Sequence, residues 1–273
     1  GEVMIREALK CGLTPCDLLA EERFADFAAE MAGHGARCFE VPRSLLEAVC
    51  ETKSPQGVCA SFTAPQPRSV GALGGAVVAL DGVQDPGNVG TIWRTADAAG
   101  FSGLLLGEGS ADPLSPKVLR AAMGSGFRVP FAHAAPLADA LESLRAEGYT
   151  VIASDLHGSD FYARPKLEGE IVLVIGNEAR GISDAVRAAA DLRLKLPMRG
   201  GAESLNAAVA AAILMYDLIH ARYWPAKGCT RPGRPAHESA AHVDAAKLAR
   251  SCPCAAARST CARSRPCAAA RNP

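Results

Sequence analysis

From residue 76 onward, six short runs that read as strands are interspersed with five helical patterns, and this arrangement limits what the chain can fold into. The apolar runs fall at 76–80, 103–106, 128–131, 150–153, 171–175 and 192–196. Between and after them, helical periodicity covers 88–99, 116–123, 137–147, 183–190 and 204–221. Most of these runs have no polar face, as strands buried on both sides do, and strands joined through helices run parallel. The expectation is an α/β fold built on a parallel sheet with helices on both faces. Ligands in such sheets gather at the loops beyond the carboxyl ends of the strands.

Residues 2–64 form a smaller α/β unit. A helix runs from Val3 to Lys10 and Gly12 ends it. Strands are expected at 16–20, 37–41 and 56–63. A helix is expected over 23–31, with Phe24, Phe27, Ala28 and Met31 at i, i+3, i+4 and i+7, and a second one capped by Ser44. The unit reads as lacking a first strand, and Gly1 in place of Met reads as a processed or incomplete start. Residues 65–75 hold two prolines and several glycines and read as a linker. Residues 76–224 form the larger domain. Residues 225–273 are rich in Ala, Arg, Pro and Cys and carry few large apolar side chains, so they read as a disordered basic tail.

The whole chain is neutral, but its charge is divided. The tail has nine Lys/Arg against two Asp/Glu, so residues 1–224 are acidic by the same margin. A general basic footprint for nucleic acid is missing from the folded part, and RNA contact there needs a local patch such as Arg94, Lys117, Arg120 and Arg128. The ten cysteines divide between the first sixty residues and the tail. With no signal peptide at the start, a reducing cytoplasm is expected. Cys252, Cys254, Cys261 and Cys267 lack paired C-x-x-C spacing, so no metal is expected. No apolar run is long enough to span a membrane.

Three polar, glycine-bearing turns follow three of the strands. The first is Asp81-Gly-Val-Gln-Asp-Pro-Gly-Asn88, leading to Arg94. The second is Ile175-Gly-Asn-Glu-Ala-Arg-Gly-Ile-Ser183. The third is Leu196-Pro-Met-Arg-Gly-Gly-Ala-Glu-Ser-Leu-Asn206, followed by a helix that is apolar all round from 207 to 215 and is expected to be mostly buried. The plain reading of each turn is structural: Asn88 as an N-cap, Arg94 on a solvated helix face, Glu178 paired with Arg180, and Ser204 and Asn206 as caps in the first helical turn. Gly200 and Gly201 permit positive φ or close approach of a ligand. Taken together, the turns describe a concave site made from backbone and small side chains. A nicotinamide-binding G-x-G-x-x-G is absent, as is a phosphate-binding P-loop.

These three stretches, in this order, resemble the motifs of the SpoU (TrmH-type) RNA 2′-O-ribose methyltransferases of the SPOUT superfamily over about residues 76–222. Residues 1–64 resemble more loosely the ribosomal-protein-like substrate-binding domain that precedes it. The resemblance implies a C-terminal trefoil knot, S-adenosylmethionine bound among the knot loops, a homodimer, and an rRNA or tRNA substrate. It places Gly176, Leu196, Met198 and Leu205 at the cofactor, and Asn88, Arg94, Glu178, Ser204 and Asn206 at the polar active-site positions. A non-catalytic RNA-binding protein keeping the same fold is the alternative, and the intact polar set argues against it.

Overall fold

A computed structural model of the protein describes residues 1–50, 52 and 54–223. The expectations for the tail, including its cysteines, lie outside the described residues. The first elements are α1 (Glu2–Lys10), β1 (Pro15–Ala20), α2 (Ala25–Gly33), β2 (Arg37–Glu40), α3 (Arg43–Val49) and β3 (Val58–Phe62). They form a three-stranded sheet in the order β2-β1-β3, with β2 parallel and β3 antiparallel to β1. Ile5 of α1 and Phe27 and Met31 of α2 bury against Leu18, Ala20 and Val58 of the sheet. The helix expected from Arg23 opens instead with a 3-10 turn at Glu22–Phe24. Ser44 is not a cap: α3 already begins at Arg43, after an extended Pro42 that makes no side-chain cap bond.

Residues 65–75 are pinned to the larger sheet rather than loose. The Arg68 N–H donates to Phe131 O at 2.8 Å, Val70–Ala72 forms a 3-10 turn, and Leu73 is buried in the larger core. Composition drew attention to the prolines and glycines, while Val70 and Leu73 supplied the apolar area that anchors the segment.

The larger sheet is built from β4 (Val77–Asp81), β5 (Gly103–Leu106), β6 (Phe131–His133), β7 (Thr150–Asp160), β8 (Ile171–Gly176) and β9 (Leu192–Lys195). Its order is β6-β5-β4-β8-β7-β9, and every neighbouring pair is parallel. The helices are α4 (Pro86–Ala99), α5 (Pro116–Ala122), α6 (Leu137–Ala146), α7 (Asp184–Ala189) and α8 (Ala207–Tyr223). Strand side chains alternate between faces, and the core divides accordingly. Val78, Leu80, Leu104, Leu106, Leu173 and Ile175 pack with Ile92 and Trp93 of α4 and Leu214 and Met215 of α8. Val77, Ala79, Leu105, Val172 and Val174 pack with Leu141 and Leu144 of α6 and Val186 of α7.

Three boundaries differ from expectation in ways that matter for the site. The strand expected at 128–131 begins at Phe131, because a 3-10 turn at Ser125–Phe127 takes up the preceding chain. Gly126 allows that turn to lie against Trp93, where a Cβ would sit 3.1 Å from the ring. β7 runs on to Asp160 through an irregularity between Ser154 and Ser159. Gly158 lies in that bend, and a Cβ there would be 2.4 Å from Arg193 O, so only glycine lets β7 close on β9. Finally, α8 starts at Ala207, so Glu203 and Ser204 belong to the preceding loop, not the first helical turn.

The expected burial of α8 holds for one face only. Ala208, Ala211, Leu214, Met215 and Leu218 are buried, whereas Val209 (49%), Ile213 (37%) and Tyr216 (55%) are exposed. Among the described residues no helix is long and apolar enough to cross a membrane.

Candidate active site

The ends of β4 and β8 lie side by side, so the turns that follow them meet. Asp81 accepts the Ser183 N–H at 2.6 Å, tying the end of β4 to the start of α7. Asn177, which is buried, donates from Nδ2 to Gly82 O at 2.7 Å, and its Oδ1 accepts the N–H groups of Ala179 and Arg180. One side chain thus shapes the second turn and fastens it to the first. Sequence reasoning passed over Asn177. The available signal was an Asn directly after a strand-ending glycine, where a side chain can close a local turn.

α4 is capped by Asp85, whose Oδ1 accepts the Asn88 N–H at 3.0 Å, and Pro86 occupies its first position. Asn88 is therefore inside the helix, not its cap, and its side chain is free to point across the turns. Its Nδ2 donates to Glu178 Oε1 at 2.9 Å. Its Oδ1 accepts from Asn206 Nδ2, also at 2.9 Å. Asn206 is the true cap of α8: its Oδ1 accepts from Ala208 N at 2.9 Å and Val209 N at 3.2 Å.

The direction of this chain of bonds is forced. An ionised carboxylate only accepts, so Asn88 must turn its NH₂ toward Glu178 and its oxygen toward Asn206. Asn206 must then offer its own NH₂, leaving its oxygen for the helix. Each amide keeps a second N–H that no side-chain bond of this line takes up.

Glu178 does not pair with Arg180. Its Oε1 also accepts the Asp85 N–H and its Oε2 the Gln84 N–H, both at 3.2 Å. Burial pushes its carboxyl up, but the Asn88 amide and the backbone N–H groups of Glu178, Gln84 and Asp85 outweigh that and hold it below its ordinary value. A carboxylate so occupied on both oxygens is a fixed anchor rather than a base.

The structure does not bring every expected residue into this network. Arg94 lies on the exposed face of α4, six residues beyond Asn88, with no ion pair among the described residues. Ser204 is exposed in the loop before α8. Arg128 leaves the expected basic patch altogether. Its guanidinium is held by Asp97 at 2.7 Å and by Glu7 at 3.3 Å.

At the expected cofactor positions, Leu196 and Met198 are half-buried and Leu205 is 39% exposed. Gly176 has a structural reason to be glycine, since a Cβ would lie 2.3 Å from the carbonyl carbon of Gly181. Gly200 and Gly201 are different. Neither has positive φ, and a Cβ on either would meet nothing within 4 Å. Both stand, with Leu205, in the exposed loop between β9 and α8.

The family model described as the SpoU rRNA Methylase family matches residues 75–216. The chain belongs to this family. A second model, described as RNA 2′-O ribose methyltransferase substrate binding, matches residues 1–68 of this SpoU protein. The chain is 39% identical over 220 residues to the 23S rRNA (guanosine(2553)-2′-O)-methyltransferase RlmP of Bacillus subtilis, covering 80% of this chain and 86% of that one. Among solved structures, the SpoU methyltransferase AviRb of Streptomyces viridochromogenes in complex with the cofactor AdoMet superposes with a TM-score of 0.73. It is 30% identical, with 81% of this chain and 88% of that one covered. An AdoMet-bound rRNA methyltransferase of Sinorhizobium meliloti gives 0.72 at 33% identity, covering 81% and 85%.

Proposed function

We propose that this SpoU protein is an S-adenosylmethionine-dependent RNA methyltransferase that modifies a ribose 2′-hydroxyl of rRNA or tRNA. One observation carries the reading. The hydrogen-bonded line Asn206–Asn88–Glu178 joins the turns after β4, β8 and β9 at the carboxyl end of a parallel sheet. The relatives support it, because the RlmP name states a 2′-O-methylation and two neighbours hold AdoMet.

S-adenosylmethionine, when bound, supplies a methyl group already activated by its positive sulfur. The rest of the chemistry is placement and charge, and alignment alone is worth orders of magnitude in rate. The wall formed by Leu196, Met198, Gly200, Gly201 and Leu205 holds the cofactor, with Gly176 keeping the opposing loop tightly folded. Asn88 and Asn206 direct their remaining N–H groups at the ribose, and Glu178 fixes their orientation. Ser204 stands on the same loop, free to reach the nucleotide.

Arg94 holds a phosphate of the nucleotide and offsets negative charge growing on the 2′-oxygen. A guanidinium does not deprotonate in proteins, so Arg94 is not the proton acceptor. The proton leaves to the RNA phosphate or to water.

The exposed face of α8, with Val209, Ile213 and Tyr216, supports a homodimer, since apolar patches of this kind mark interfaces. The knot implied by the family motifs is supported by the path of the chain. β9 lies outside β7, yet α8 returns to pack with residues of β4, β8 and α4. The free thiols of Cys11, Cys16, Cys38, Cys50 and Cys59 support a reducing, cytoplasmic setting. We assign residues 1–64 to RNA binding, 65–75 to a connecting segment and 76–224 to catalysis.

The test is incubation of the protein with unmodified rRNA or tRNA and S-adenosylmethionine labelled in the methyl group, followed by nucleoside analysis. A labelled 2′-O-methylnucleoside is expected. Label found only on a base, or cofactor binding without transfer to any RNA, would refute the reading.

A further inference from the structure

Charge pairing is distributed unevenly over this molecule. In the unit matched as substrate binding, residues 1–68, each described Lys or Arg as far as Arg43 has an acidic partner, and Arg68 has no ion pair among the described residues. Arg6 pairs with Glu2 and Glu30, Lys10 with Glu7, Arg23 with Glu21, Arg37 with Asp17, and Arg43 with Glu47, all at 2.9 Å or less. On α4 and α5 the situation is reversed. Arg94, Lys117 and Arg120 are exposed and have no ion pair among the described residues. α5 contains no acidic residue, and neither do the first eleven residues of α4.

The two helices that carry these three cations, α4 and α5, are packed closely against each other. A Cβ on Gly90 would lie 2.5 Å from both Val118 O and Ala121 Cβ. A Cβ on Gly126 would lie 3.1 Å from Trp93 and 3.3 Å from Leu119. The chain from α5 into the following turn therefore runs alongside α4. Arg94 is one helical turn beyond Gly90, and Lys117 and Arg120 are neighbours three residues apart on α5. Arg94 stands six residues beyond Asn88 on α4, the helix that starts at the candidate active site.

We propose that the α4–α5 face is the track for the RNA phosphate backbone flanking the methylated nucleotide, with Lys117 and Arg120 as its phosphate contacts beyond Arg94. The inference rests on the RNA methyltransferase reading. A phosphate reaching Lys117 or Arg120 displaces only counterions, whereas one reaching Arg6 or Arg43 must first compete with a carboxylate. The N-terminal unit then contributes shape and uncharged contacts rather than neutralisation of phosphate.

Counterion release gives the readout. Each phosphate contact to single-stranded RNA contributes about 0.7 to the slope of log affinity against log salt. In the full chain, binding of a fluorescein-labelled single-stranded RNA is followed by anisotropy across a KCl series. The Lys117→Gln, Arg120→Gln double variant should lose about 1.4 of that slope, so that wild-type affinity falls about sevenfold more than the variant's between about 50 and 200 mM salt. The cations beyond residue 224 are common to both proteins and cancel. The variant should also raise KM for RNA while leaving kcat and calorimetric binding of S-adenosylmethionine unchanged, and Lys117→Arg with Arg120→Lys should restore binding. A double variant with the wild-type slope overturns the proposal, as does transfer of the effect to Arg6→Gln with Arg43→Gln. Wild-type protein that binds S-adenosylmethionine but no RNA would instead overturn the RNA reading itself.

Discussion

Asn88 on α4 and Asn206 at the cap of α8 lie 118 positions apart in the chain and share a hydrogen bond of 2.9 Å. The bond makes Asn88 the middle of a line of three side chains, and it links a helix start on one strand's turn to a helix cap on another's. Because Asn88 donates to a carboxylate on one side and accepts from an amide on the other, neither Asp nor Ala can replace it without loss.

Asn88→Asp sets a second carboxylate against Glu178 and removes the donor that Glu178 faces. A shift of about 1 Å in the reacting groups is enough to reduce turnover about a hundredfold. Methyl transfer under single-turnover conditions should fall by that order, while calorimetric binding of S-adenosylmethionine persists. Near-normal turnover would show that the line of hydrogen bonds does not position the substrate.

Glu178 makes stability depend on pH in a defined direction. Its carboxyl is held below its ordinary value in the folded protein. It therefore contributes stability that is complete above the unfolded-state value and is lost as pH falls through the lower, folded-state value. Glu178→Gln should remove that part of the acid loss and should destabilise the protein at neutral pH, since an amide N–H would then face backbone N–H groups. Urea unfolding at neutral and acid pH measures both effects. Identical pH profiles for the two proteins would contradict the assignment of Glu178 as an ionised anchor.

Arg94→Lys keeps the charge and loses the planar fork. If Arg94 grips a phosphate through two hydrogen bonds, kcat/KM for RNA should fall about tenfold to a hundredfold. Full activity in the lysine variant would leave Arg94 as a point charge only.

The glycines of the second and third turns should behave oppositely. Gly176→Ala drives a Cβ into the backbone of Gly181 and Ile182, and overpacking of that kind costs about 1–3 kcal/mol. Gly200→Ala and Gly201→Ala meet nothing within 4 Å, so their melting temperatures should match wild type while affinity for S-adenosylmethionine drops. If all three variants melt alike and bind the cofactor alike, the wall is not where the cofactor lies.

The sequence by itself determined the parts and their order. Six short strand runs interspersed with five helices specify a parallel sheet, because the runs at 76–80, 103–106 and 171–175 have no polar face and must be covered on both sides. Alternation along those strands assigns each side chain to its core, and the three glycine-bearing turns announce themselves by composition. All of these are patterns of period 2 or 3.6 within a few residues, so a linear reading can detect them. What the tertiary structure decided is which polar groups meet. Glu178 has Arg180 two residues away, yet its partner is Asn88, ninety residues distant, because β8 lies beside β4 in the sheet. Arg128 stood in an expected basic patch until the fold set Asp97 and Glu7 against it. α8 is apolar all round from 207 to 215, but only the direction from which the sheet approaches leaves Val209, Ile213 and the following Tyr216 open. Periodicity is a local property of the chain, while hydrogen-bond and ion-pair partners follow from strand order and loop path, and those exist only once the chain has folded.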